Sequence, residues 1–220
     1  MKELKSDQAG RERRAEVERC GEVERRTGET AVRVVVNLDR PGMIRLATPV
    51  PFLTHMLDQL ARHGRVGLEV SAGFTGEPIA HHLVEDVGIG LGQALDRALG
   101  GRAGVNRFGW AAAPMDESLA EAVIDLSGRG GLYGAVAFSG PSADGYDTAN
   151  GPEFFRALTV NARLTLHLDL RRGGNPHHEL EACHKAVALA LRQAVALSGE
   201  SAVAGGGGAP AGVPSTKGVL

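Results

Sequence analysis

One rare pattern is written twice in this chain, as His81-His82-Leu83-Val84-Glu85 and again as His177-His178-Glu179-Leu180-Glu181. On a helix, residues i and i+4 lie one above the other, while i+1 points about a quarter turn away. Each copy can therefore offer one His and its Glu to one ion and the second His to another. The consequence for the fold is equally strong: whatever unit carries the motif is built twice.

The repetition extends beyond the motif. Leu68, Val70 and Phe74, which precede the first copy, stand opposite Leu164, Leu166 and Leu170 at the same offset. After the motif, Leu91, Ala94, Leu95 and Ala98 stand opposite Val187, Ala190, Leu191 and Ala194. Strand-period spacing followed by helix-period spacing is thus shared by both halves. Upstream, the helical run carrying His55 (Phe52 to Leu57) corresponds, with a two-residue slip, to Pro152-Glu153-Phe154-Phe155. Each half supplies two helix-borne stretches of candidate ligands.

These signals predict an α/β (α+β) chain built from a duplicated ββαβα unit. The alternation Val32, Val34, Val36, Leu38 predicts a half-buried strand, followed by a short strand after the Pro41-Gly42 turn. Helix 50–63, strand 65–74 and helix 81–99 complete the first half. Strands near 118–126 and 131–138, helix 152–161, strand 163–171 and helix 177–197 form the second. We place the halves at residues 28–102 and 103–200. Residues 1–27, rich in Arg and Glu, are expected to form a mobile or helical charged extension. Residues 201–220 are expected to be a Gly/Ala linker followed by a polar hook, Pro214-Ser215-Thr216-Lys217-Gly218.

Composition narrows the function. A formal net charge of −2 over 220 residues gives no electrostatic reason to expect nucleic acid or membrane partners. No apolar run approaches the roughly 20 residues of a membrane span, and no signal-peptide pattern opens the chain. The two cysteines, Cys20 and Cys183, are expected to be unpaired, consistent with a reducing, cytoplasmic location.

Several separate motifs, in order, resemble the imidazoleglycerol-phosphate dehydratase family of histidine biosynthesis. They are Phe52-Leu53-x-His55-Met56-Leu57-Asp58-Gln59 with His63, the doubled His-His-x-x-Glu, Asn106-Arg107-Phe108-Gly109, Pro114-Met115-Asp116-Glu117, Asp125-Leu126-Ser127-Gly128-Arg129 and the C-terminal Pro-Ser-Thr-Lys-Gly-Val-Leu. The resemblance runs from about Glu24 to Leu220. It implies a mixed sheet with helices on one face, of the ribosomal protein S5 domain 2-like kind. It further implies a small-molecule phosphate substrate, a homo-oligomer of 24 subunits, and two Mn²⁺ per active site.

By the same resemblance, His55, His82, His177 and Glu181 hold one manganese, and His81, Glu85, Glu153 and His178 the other. A lone helical His is ordinarily a surface or hydrogen-bonded residue. Four His and two Glu recurring in matching slots have no packing rationale, because burying them without an ion is costly. At Glu153 the family usually has His; carboxylate oxygen also suits Mn²⁺, so a changed ligand is expected here. Thr54 and Ala80 stand where the family usually has Asp, beside ligand His residues, and imply weaker metal binding.

The resemblance assigns catalytic roles to Glu29, His81, Glu181 and Lys185, with Glu29 as the carboxylate that shuttles a carbon proton. At the phosphate end it places Gln59, His63, Arg107, Arg129, Ser215 and Lys217, and Glu29 also near the substrate. Forked guanidinium donors, an ammonium and a hydroxyl suit a phosphate dianion. His184 is expected to be a peripheral helix residue, and His167 a surface or hydrogen-bonded one.

Two other classes remain in view. Carboxylate-His clusters also serve di-metal phosphoester hydrolases, although no Asp occupies a ligand slot implied above. A non-catalytic shell glued by metal needs neither Glu29 nor the Ser215/Lys217 hook.

Overall fold

Alternating apolar residues build two sheets, and the computed structural model describes them within residues 18–198 and 212–215. In the first half, β1 (Cys20–Arg26), β2 (Thr30–Asn37) and β3 (Ile44–Ala47) are followed by α1 (Pro51–Gly64), β4 (Gly67–Phe74) and α2 (Ala80–Leu99). The second half has β5 (Phe108–Met115), β6 (Ser118–Asp125), β7 (Gly131–Tyr133) and a small hairpin, β8 (Ser142–Ala143) and β9 (Tyr146–Asp147). It ends with α3 (Asn150–Asn161), β10 (Thr165–Arg172) and α4 (Pro176–Val195). The strand orders, β1-β2-β4-β3 and β5-β6-β10-β7, are the same topology drawn twice. In each sheet the last pairing is parallel and the other two antiparallel, so both sheets are mixed.

Local chemistry explains the boundaries. Val32, Val34 and Val36 turn inward on β2 as the alternation predicts. Pro51 and Pro176 open α1 and α4 at positions where a missing N–H costs nothing. Asn175 caps α4 by accepting from the backbone N–H of His177. Arg65, in the left-handed region at φ 50°, closes α1.

Each sheet is covered on one face by helices, and the helices of opposite halves meet between the sheets: α1 packs on α4, and α2 on α3. One continuous apolar core results, running from Val23 to Val195. The approach is close. A Cβ on Gly21 would lie 2.0 Å from the carbonyl oxygen of Ala94, and one on Gly109 would lie 1.9 Å from that of Ala190. Only glycine lets the leading strand of each half touch the last helix of that half.

The seam between halves is held by Arg102, 1% exposed and at φ 56°. Its guanidinium donates to the carbonyls of Leu126, Arg163 and Ala162 in the second half and to Asp96 at the end of α2.

The outer faces differ. On the first sheet Arg33 pairs with Glu22 and Arg45 with Glu69. On the second, Trp110, Val123, His167 and Tyr133 form one row across all four strands. Trp110 and Tyr133 are more than half exposed.

The duplicated ββαβα order is present, and each half is preceded by one further strand. β1 corrects the expected extension over 1–27, because Gly21 and Val23 face the core while Glu22, Glu24 and Arg26 between and after them are exposed. β5 was absent from the expected elements because its inward residues are Gly109, Ala111 and Ala113, too small to register as an apolar alternation. The strand expected over 131–138 ends at Tyr133, and α4 ends at Val195. Residues 1–17 of the charged extension, and most of 201–220, lie outside the described residues. Cys20 is exposed, Cys183 is buried, and both are free thiols.

Candidate functional site

The contact of α1 with α4 brings three candidate ligands together. His55 Nε2 lies 3.0 Å from Glu181 Oε2, and His177 Nε2 lies 3.4 Å from the same oxygen. Donor atoms of all three lie within 4.8 Å of one another, a chemistry of imidazole and carboxylate that fits a divalent transition metal. Glu181 is largely buried. Burial opposes its charge, yet hydrogen bonds from Lys185 and His55 outweigh it and hold the carboxyl at about 2. Lys185 Nζ lies 2.6 Å from Glu181 Oε1 and 3.3 Å from Met115 Sδ.

A second cluster forms around His178. Its Nδ1 lies 3.0 Å from Glu117 Oε2, and its Nε2 lies 3.9 Å from Asp116 Oδ2. The Glu117 hydrogen bond raises the His178 pKa and lowers that of Glu117. Asp116 and Glu117 were missed as site residues, and Asp116 puts an Asp beside an implied ligand. The signal for Glu117 lay in the duplication. Glu29 immediately precedes β2 as Glu117 immediately precedes β6, and Glu29 Oε2 lies 3.2 Å from His82 Nδ1. That distance is an ion-pair distance without hydrogen-bond alignment, since His82 Nδ1 has no hydrogen-bond partner.

The remaining implied ligands are dispersed. His81 Nδ1 meets Asn150 Oδ1 at 3.0 Å, at the start of α3. Glu85 is exposed on α2, and Glu153, on α3, is engaged by Arg156. Of the first implied set the chain assembles His55, His177 and Glu181 but not His82; of the second it assembles no three into one cluster among the described residues. His177 Nδ1 is also held by Asp144, 2.6 Å away. Thr54 hydrogen-bonds Thr48 at 2.9 Å. His184 is not peripheral: it is buried against Phe154 and Phe155, its Nδ1 meets the Leu180 carbonyl, and burial brings it down to about 4. The two phenylalanine rings and the Leu180 carbonyl account for its burial. His167 is exposed and stacks on Tyr133.

The implied phosphate end spreads over two regions. Gln59 and His63 share one face of α1, with His63 Nε2 2.9 Å from Gln59 Oε1. Burial, and then the Lys185 charge, lower the His63 pKa. Arg107, at φ 73°, pairs with Asp125 and donates to the Pro214 carbonyl at 2.7 Å. Gly104 N–H donates to Gly212, so the described part of the tail, including Ser215, lies along the loop that opens the second half. Arg129 stays close to Ser127. Lys217 lies outside the described residues.

Comparison with known proteins gives one answer. The profile of the family described as imidazoleglycerol-phosphate dehydratase matches residues 48–191. The imidazoleglycerol-phosphate dehydratase of Halorhodospira halophila is 52% identical over 92% of this chain and 98% of its own length, and that of Burkholderia lata is 48% identical over 92% and 100%. The crystal structure of the Staphylococcus aureus imidazoleglycerol-phosphate dehydratase superposes with a TM-score of 0.74 at 36% identity, covering 81% of this chain and 99% of that one. The structure of IGPD from Pyrococcus furiosus gives 0.74 at 31% identity, covering 90% and 100%. With its duplicated fold, its His/Glu cluster and these relatives, the chain belongs to the imidazoleglycerol-phosphate dehydratase family.

Proposed function

We propose that the protein removes water from imidazole glycerol phosphate to give imidazole acetol phosphate, a carbon-oxygen lyase step of histidine biosynthesis. Family membership favours this over the di-metal phosphoester hydrolase and over a metal-glued shell. The observation that carries it is the convergence of His55, His177 and Glu181 beside Lys185, on helices of opposite halves.

The reaction breaks a weakly acidic C–H bond and a C–O bond beside an imidazole, and the enol so formed tautomerises to the ketone. Two Mn²⁺, when bound, supply Lewis-acid stabilisation of negative charge on the ring, which eases both bond cleavages. His55, His82, His177 and Glu181 would hold one ion, and His81, Glu85, Glu153 and His178 the other. Glu29 takes the carbon proton, its exposed carboxylate standing beside His82. Lys185 neutralises Glu181 and keeps it ionised as a ligand and site charge. Gln59, His63, Arg107, Arg129, Ser215 and Lys217 bind the phosphate, with the guanidinium groups acting as forked donors. His82 and His178 stand apart from the clusters their sets require, which supports completion of each site by a neighbouring copy in a homo-oligomer of 24 subunits. The described helices include none long and apolar enough to cross a membrane, in keeping with a cytoplasmic enzyme.

Incubation of the manganese-loaded protein with imidazole glycerol phosphate, followed by mass spectrometry, tests the proposal. Loss of one water with the phosphate ester intact is expected. Release of inorganic phosphate instead would establish the hydrolase.

A further inference from the structure

The duplicated halves hold their Glu–His pairs in different ways. In the first half, Thr30 follows Glu29 and is fully buried. Its hydroxyl donates to Asp86 Oδ2, and Arg25 Nε donates to Asp86 Oδ1 at 2.9 Å. Asp86 is itself 7% exposed and directly follows Glu85 on α2. One buried carboxylate therefore ties the β1–β2 turn to the helix that carries His81, His82 and Glu85.

The turn is rigid within itself. Thr27 Oγ1 accepts from the N–H groups of Glu29 and Thr30, Thr27 N–H donates to the Thr30 carbonyl, and Thr75 N–H donates to the Glu29 carbonyl. None of these bonds reaches α2. Asp86 supplies that tie.

The second half lacks this device. Ser118 occupies the slot of Thr30, but its hydroxyl turns to Glu117 Oε1 at 3.1 Å, and Ala182 stands in the slot of Asp86. Glu117 is instead fixed by its direct hydrogen bond to His178. Glu29 has no such bond to His82, so its placement depends on the backbone that bears it. A carboxylate that must give up and regain a proton is better placed by its backbone than by a bond to its own oxygens.

We propose that Asp86 is a positioning residue that acts through Thr30 to hold Glu29 at working distance from the α2 cluster. The inference rests on the dehydratase reading and on Glu29 as its proton carrier. Displacement of a catalytic group by about 1 Å costs about a hundredfold in rate, so loss of the tie is read in turnover.

The manganese-loaded full chain is assayed as wild type, Thr30→Val, Thr30→Ser, Asp86→Ala, Glu29→Gln and the double variant Glu29→Gln with Asp86→Ala, with thermal stability recorded for each. Thr30→Val and Asp86→Ala are expected to lower kcat about ten- to a hundredfold with KM within about twofold, and Thr30→Ser to restore it. In the Glu29→Gln background, Asp86→Ala should cost less than about twofold more. An equal kcat loss from Asp86→Ala in both backgrounds, or lost stability with wild-type kcat, overturns the inference while the dehydratase reading stands. Unchanged kcat in Glu29→Gln overturns it too, because there would be no carrier to position. Absence of turnover in the wild type overturns the reading and the inference together.

Discussion

Replacing Arg102 with methionine keeps an unbranched side chain of similar length and removes a buried guanidinium. Three carbonyls, of Leu126, Arg163 and Ala162, then lose their donor at distances of 3.3, 3.1 and 2.9 Å. At about 1 kcal/mol for each acceptor left unpaired, two in buried bonds and that of Arg163 in a part-buried one, this comes to about 3 kcal/mol. The lost pairing with Asp96 adds about 1 kcal/mol, because Arg163 still reaches the same oxygen at 3.1 Å. A total of about 4 kcal/mol, with a urea m-value of about 2–3 kcal/mol/M, moves the unfolding midpoint down by about 1.5 M. The chain has one tryptophan, Trp110 on β5, so fluorescence reports the second half while far-UV circular dichroism reports both. Subunit concentration is matched between variants, since assembly contributes to apparent stability. Both probes should give one coincident transition in the wild type and in Arg102→Met. A midpoint shift below about 0.3 M, which at that m-value is under about 1 kcal/mol, would refute the assignment of Arg102 as the seam.

Three further outcomes are expected. Chelation of the manganese-loaded protein should abolish turnover and shrink the particle seen by light scattering, and a fully active metal-free particle would sink the metal assignment. Glu153→Ala should lower metal content and turnover while Glu153→His retains substantial activity, as elemental analysis and initial rates will show; unchanged occupancy in Glu153→Ala would remove Glu153 from the ligand set. Deleting residues 213–220 should leave thermal stability and particle size nearly intact and lower kcat/KM by about ten- to a hundredfold, the worth of a charge-assisted phosphate contact of roughly 1.5–3 kcal/mol; normal kinetics would show that the tail does not bind phosphate.

The duplication and the helices that carry it were legible because His, Glu and large aliphatic residues recur at fixed spacing. Leading strands β1 and β5 were not. β1 carries a charged outer face that reads like solvated chain, and β5 presents glycine and alanine inward, with α4 so close at Gly109 that no side chain fits there. The His55, His177 and Glu181 grouping depends on α1 crossing to α4, a tertiary contact that the family resemblance supplied and periodicity alone did not. Glu117 could have been found from the repeat, by asking which residue precedes β6 as Glu29 precedes β2. The burial of His184 could have been found too, because Leu180, His184, Val187 and Leu191 recur at helical spacing along the apolar stripe of α4.

The two close-approach glycines carry a record of descent that residue identity has mostly erased. Gly21 and Gly109 each occupy the second place of the leading strand in their half, and each abuts an alanine carbonyl of the helix that closes that half. Even alanine at either place would put a carbon about 2 Å from a backbone oxygen, a collision that no rotamer relieves. A saturation-mutagenesis map of the gene would therefore show complete intolerance at these two columns, beyond the size preferences of the core positions beside them. Those columns would align the repeats where β1 and β5 share almost no other letters, so the ancestral copy survives there as forbidden volume.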